Sequence, residues 1–159
     1  MNKKNILIIA IAIIIIALVY FFIPQKSEEK MNFKIPNIFA QYMSAQDWEI
    51  KVNEFPADIK IENGEIICEE TPLESSVNSG TFKKVINGRA YCMKMSAEGA
   101  AGSVYTTYDY YTIDNNNLIS ISVTVRATQC YNYDEPKTTE CTTERETFNI
   151  DNFIGDIIQ

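Results

Sequence analysis

Asn117-Leu118-Ile119-Ser120-Ile121-Ser122-Val123-Thr124-Val125-Arg126-Ala127-Thr128 is the stretch that decides the fold of this chain. Ile119, Ile121, Val123, Val125 and Ala127 alternate with Ser120, Ser122, Thr124, Arg126 and Thr128. Successive side chains of a strand point to opposite faces, so one face of this strand meets a core and the other meets water. Upstream, Val104 to Ile113 is rich in Tyr and Thr, which suit a pleated, half-buried surface. Asp114-Asn115-Asn116-Asn117 is a turn between the two, and together they form an antiparallel hairpin.

The same grammar continues outward. Asn63-Gly64 is a type I′ hairpin turn that places Ile61 opposite Ile66 and Ile59 opposite Cys68. Asn87-Gly88 repeats it, placing Ile86 opposite Arg89 and Phe82 opposite Met93. Glu98-Gly99-Ala100-Ala101-Gly102-Ser103 has almost no side-chain bulk; it reads as a bend or bulge between strands, or as a place where a ligand approaches the backbone. Asn37 is a cap for a short helix burying Ile38, Phe39, Tyr42 and Met43, with Trp48 entering the core beyond it. Cys130 to Cys141 reads as a polar loop and Thr143 to Ile150 as a further strand. Asp151 or Asn152 then caps a last helix that packs Phe153, Ile154, Ile157 and Ile158 on the sheet.

The first residues set the compartment. After a basic tip (1–5), residues 6–23 form an 18-residue apolar run without charge, Gly or Pro. As a helix it covers roughly 27 Å, close to the thickness of a bilayer core. Lys3 and Lys4 keep the N-terminus cytoplasmic under the positive-inside rule, so the rest is exported. No small-x-small cleavage site follows the run, which makes it an uncleaved signal anchor. A polar stalk (24–36) leads to an extracytoplasmic domain (37–159).

Of 14 Lys+Arg in the chain, two are Lys3 and Lys4, leaving 12 against 21 Asp+Glu and a formal charge of −9 beyond the anchor. That balance argues against a nucleic-acid partner. All four cysteines lie in the exported part, where an even count indicates disulfides, and the sequential pairing Cys68–Cys92 and Cys130–Cys141 is favoured. The second would close a loop of about a dozen residues, worth roughly 3 kcal/mol. With no C-x-x-C and no histidine, a zinc site is disfavoured, and Ser-His-Asp and Cys-His catalysis are excluded. No metal or cofactor is expected.

The expected architecture is α+β: a transmembrane helix, then an antiparallel sheet of about five to seven strands with a C-terminal helix packed on it and two disulfides. The expected role is a non-enzymatic, membrane-tethered binding or accessory module of the cell envelope, recognising a protein or a cell-wall glycan. Tyr105, Tyr108, Tyr110, Tyr131 and Tyr133 are its candidate contacts, since tyrosine gives large contact area at low entropy cost. The competing reading packs these tyrosines under the C-terminal helix. Two other roles remain open. One is an envelope hydrolase using carboxylates such as Glu69, Glu70, Asp134, Glu135 or Glu140. The other is a structural subunit of a membrane complex.

Ser103-Val104-Tyr105-Thr106, Asn116-Asn117-Leu118-Ile119-Ser120-Ile121, Thr147-Phe148-Asn149-Ile150-Asp151 and Phe153-Ile154 together resemble a module of some Gram-positive envelope proteins. These are membrane-anchored anti-sigma factors that sense lysozyme and certain polysaccharide deacetylases. The resemblance covers about the last third of the chain and implies a β-sheet-plus-helix module. The cysteines and the Gly-Ala stretch lie outside its pattern, no sigma-binding segment precedes the apolar run, and no binding residues carry over.

Overall fold

Four two-residue turns join neighbouring strands, three of them in the main sheet. In a computed structural model of the chain, the described residues are 33–158 except 55, 58 and 75–77. Asn63-Gly64, Asn87-Gly88, Ala101-Gly102 and Asn115-Asn116 all have positive φ at both positions. This is the geometry whose twist matches that of paired strands. The Gly-Ala stretch is therefore the third of these turns, with Ala100 paired to Ser103.

The strands are β1 (Met43–Val52), β2 (Lys60–Glu62), β3 (Glu65–Ile67), β4 (Thr71–Glu74), β5 (Ser79–Ile86), β6 (Arg89–Ala100), β7 (Ser103–Asp114) and β8 (Asn117–Thr128). Six of them form one antiparallel sheet in the order β1-β8-β7-β6-β5-β4, and β2 and β3 form a separate hairpin. Both expected registers hold where they are paired: Ile61 faces Ile66, and Phe82 faces Met93. After β8 come a 3-10 turn (Cys130–Asn132) and two helices, α1 (Lys137–Thr147) and α2 (Asp151–Ile154).

One face of the sheet carries Ile119, Ile121, Val123 and Val125 from β8 with Tyr110 from β7 and Met93 from β6, all buried. The C-terminal segment covers it, and Ile154 and Ile157 are completely buried. The other face carries Ser120, Ser122, Thr124 and Arg126, and among the described residues an apolar cluster packs on it at one end. There the β2–β3 hairpin folds over, packing Ile59 and Ile66 on Tyr111 and Leu118. Cys68–Cys92 ties that hairpin to β6, with a Cα–Cα distance of 5.3 Å. Cys130–Cys141, at 5.5 Å, ties α1 to the end of β8. Both disulfides are the sequential ones.

Several expectations need correction. Residues 37–43 form no helix. Ile38, Tyr42 and Met43 are buried as expected, but Phe39 faces outward; the Ile38 carbonyl accepts the Ala45 N–H at 3.0 Å, and Phe39 bridges Ser44. Trp48 is half-buried, at the bulge that interrupts the β1–β8 ladder, rather than in the core. Thr143–Thr147 is helical, not a strand. Threonine favours strands, but here its hydroxyls bond back to carbonyls four residues earlier, as Thr142 does to Thr138 at 2.9 Å. Only Cys141 of α1 is buried. Carboxylates and a disulfide hold the helix in place of an apolar stripe: Glu144 accepts the N–H groups of Gln41 and Tyr42 at 3.2 and 2.7 Å. The last helix is a single turn, and Phe153 stacks on Phe148 at 6.1 Å rather than packing in the core.

Phe33 already bridges Ile158, so residues 33–36, read from the sequence as stalk, belong to the folded unit. The basic tip, the anchor and the rest of the stalk lie outside the described residues. Among the described residues, no helix is long and apolar enough to cross a membrane.

Candidate functional site

Alternation along β7 separates the tyrosines. Tyr108 and Tyr110 share the parity of Thr112 and lie on the covered face, whereas Tyr105 and Tyr111 lie on the other. Tyr110 is 0% exposed and is no surface contact. Its hydroxyl donates to Asp151 Oδ1 at 2.5 Å, while Asp151 Oδ2 pairs with Lys84 Nζ at 2.9 Å. Burial, reinforced by the hydrogen bond to Asp151, pushes the phenol far above its ordinary range. Tyr108 is half-buried; it lines a groove with Phe82, Met93, Met95 and Phe148, and burial raises its phenol too. The reading that packs tyrosines under the C-terminal segment thus holds for these two.

Tyr131 and Tyr133 sit beyond β8. Tyr131 is 76% exposed, with its hydroxyl donating to the Gln129 side chain. Tyr133 packs edge-on against Tyr42, with centroids 5.5 Å apart. The Tyr42 phenol is raised by burial and by its hydrogen bond to Glu140 at 3.1 Å. The five tyrosines therefore do not form one surface.

The open face is built from the odd residues of β7 and the even residues of β8. Tyr105 stands opposite Arg126, Thr107 opposite Thr124, Asp109 opposite Ser122, and Tyr111 opposite Ser120. The hydroxyls of Thr107 and Thr124 bond to each other at 3.0 Å. Arg126 Nε donates to Ser103 Oγ at 3.1 Å, and Ser103 is buried. This fixes one edge of the guanidinium and leaves the other aimed away from the serine. Where the face meets the end of β1 and the segment that follows it there is a cleft of about 310 Å³ lined by Glu49, Lys51, Glu54, Asp109, Tyr111 and Ser122. Lys51 pairs with Glu49 at 3.1 Å, and that hydrogen bond raises its pKa. Lys94 Nζ lies 5.6 Å over the Tyr111 ring. Hydroxyls, carboxylates, a guanidinium and an aromatic ring side by side make a hydrogen-bonding surface suited to a polar polymer or peptide.

Four of the five carboxylates singled out from the sequence have structural partners. Glu69 pairs with Lys60 at 2.8 Å, and Glu70 accepts the Lys83 N–H at 2.9 Å. Glu135 accepts the Thr139 hydroxyl at 2.8 Å, and Glu140 accepts Tyr42. Arg126, Thr107, Thr124, Glu49 and Asp109 were not singled out. Their signal was present: Thr124 and Arg126 belong to the water-facing set of β8, and pairing across the Asn115-Asn116 turn puts Tyr105 beside Arg126. No family model matches this sequence, and neither a curated protein nor a solved structure matches it.

Proposed function

We propose that this chain is a membrane-tethered, extracytoplasmic binding or accessory module of the cell envelope that recognises a protein or a cell-wall glycan. Residues 6–23 are its anchor, and the open sheet face around Tyr105, Thr107, Thr124 and Arg126 is its contact surface. One observation carries the reading: among the described residues, the face of the sheet away from the C-terminal segment presents a row of polar side chains with a guanidinium hydrogen-bonded to Ser103. The two closed disulfides support an oxidising compartment.

The test is photo-crosslinking from position 105 and position 124 in the intact envelope, read by mass spectrometry. One dominant adduct shared by both positions is the expected result. No shared adduct, with the disulfides intact, removes this face as the contact surface.

A second reading draws on the cleft. Glu49 and Asp109 both pair with Ser122 and so flank it in one row of the sheet. A hydrolase of envelope glycans would use these carboxylates as acid and base. Turnover of a cell-wall glycan that is lost in Asp109→Asn distinguishes it from a stoichiometric binder.

A further inference from the structure

Residues 33–40 carry two apolar side chains that the fold holds outward. Phe39 is 82% exposed and Ile35 is 55% exposed. The segment is pinned at both ends. Phe33 bridges Ile158, and the Lys34 N–H donates to the Ile157 carbonyl at 3.3 Å. Phe39 bridges Ser44, and the Ala40 N–H donates to the Met43 carbonyl at 2.9 Å. Ile38, between the two outward residues, is buried. The backbone therefore fixes which residues of this stretch face in and which face out, and Phe39 cannot turn into the core without breaking its bridge.

The chain before this segment says what lies next to it. The apolar run ends at Ile23, and residues 24–32 connect it to Phe33. Nine residues reach at most about 30 Å even when fully extended. Ile35 and Phe39 follow directly, so a span of this length lets them reach the headgroup region. Aromatic and aliphatic side chains partition into that region without needing charge.

We infer that Ile35 and Phe39 dip into the bilayer interface and hold the domain against the membrane by one edge, beside β1. The inference rests on the anchor proposed above. The partner is the acyl–headgroup boundary of a lipid surface. A formal charge of −9 beyond the anchor makes apolar contact, rather than attraction to anionic lipid, the source of adhesion.

The test uses the full chain with Phe39→Trp in a Trp48→Phe background, reconstituted in phosphatidylcholine vesicles with or without brominated acyl chains. Val85→Trp in the same background is the control. Val85 is also exposed but lies on β5, four strands from β1. At the ~5–10 Å depth of an interfacial side chain, bromine is expected to remove about half the emission of the indole at position 39. The indole at position 85 should keep its emission. If both resist quenching, or both are quenched alike, in a chain that floats with the vesicles, the edge contact is wrong and the anchor stands. If the chain does not float, the anchor reading fails and the inference falls with it.

Discussion

Tyr110→Phe is the most informative single change, because it removes one oxygen and leaves the shape of the core intact. Tyr110 is completely buried, and its hydroxyl donates to a carboxylate that also holds Lys84. Hydrogen bonds to charged groups contribute about 1.5–3 kcal/mol net. Asp151 keeps its lysine and some solvent, so the loss should sit at the low end, about 1.5–2 kcal/mol. Asp151→Ala should cost about 3 kcal/mol, since it strands a buried hydroxyl and releases Lys84. The double variant should fall short of the sum by about 1–2 kcal/mol, the signature of a shared interaction. Equilibrium urea unfolding followed by Trp48 fluorescence measures all three. A Tyr110→Phe effect below about 0.5 kcal/mol, with additive singles, refutes the claim that this contact secures the C-terminal segment. Alkaline titration adds a second readout. The folded state holds the phenol proton above its ordinary value, so stability is complete below about pH 10, where the unfolded tyrosine keeps its proton. Above that pH, stability should fall by up to about 1.4 kcal/mol per unit for this group. Tyr110→Phe should make that decline shallower.

Three further outcomes are expected. Val123→Asp puts a carboxylate at a position with no exposure and should cost at least about 4 kcal/mol, seen as loss of the cooperative urea transition. Ala101→Gly should stabilise the domain by about 0.5–1 kcal/mol in the same assay, because Ala101 holds φ 47° in a turn that glycine adopts without a Cβ penalty. Replacing Cys130 and Cys141 together by alanine should cost about 3 kcal/mol and expose the amides of α1 to hydrogen exchange while the β7–β8 ladder stays protected.

What could be read in the sequence was whatever depends on period two and on turn chemistry. The alternation in β8, both Asn-Gly turns and the sequential disulfides rest on such short-range rules. The helix at Lys137–Thr147 was not legible because it has no apolar stripe. Its position depends on Cys141 meeting Cys130, 11 residues away, and also on Glu144 reaching Gln41 and Tyr42, 103 and 102 residues away, contacts that no local pattern encodes. The contact surface was half legible. Grouping Tyr105 with Tyr108 and Tyr110 ignored the parity that sends them to opposite faces. The same parity, applied across the Asn115-Asn116 turn, identifies Thr107, Thr124 and Arg126. That a buried Ser103 accepts from the Arg126 guanidinium follows from no local pattern in the sequence.

The bridge between Phe33 and Ile158 has a mechanical meaning. A load that reaches the domain through residue 33 first meets the junction where the two ends of the fold clasp each other. Behind that clasp, β1 is an outer strand of the sheet whose ladder runs along β8, and that ladder is already broken at the bulge near Trp48. Tension applied at residue 33 would unzip the domain from this seam inward, freeing β1 while the β5–β8 meander kept its pairing. The disulfides Cys68–Cys92 and Cys130–Cys141 both lie past the seam and would limit how much chain each pull could release.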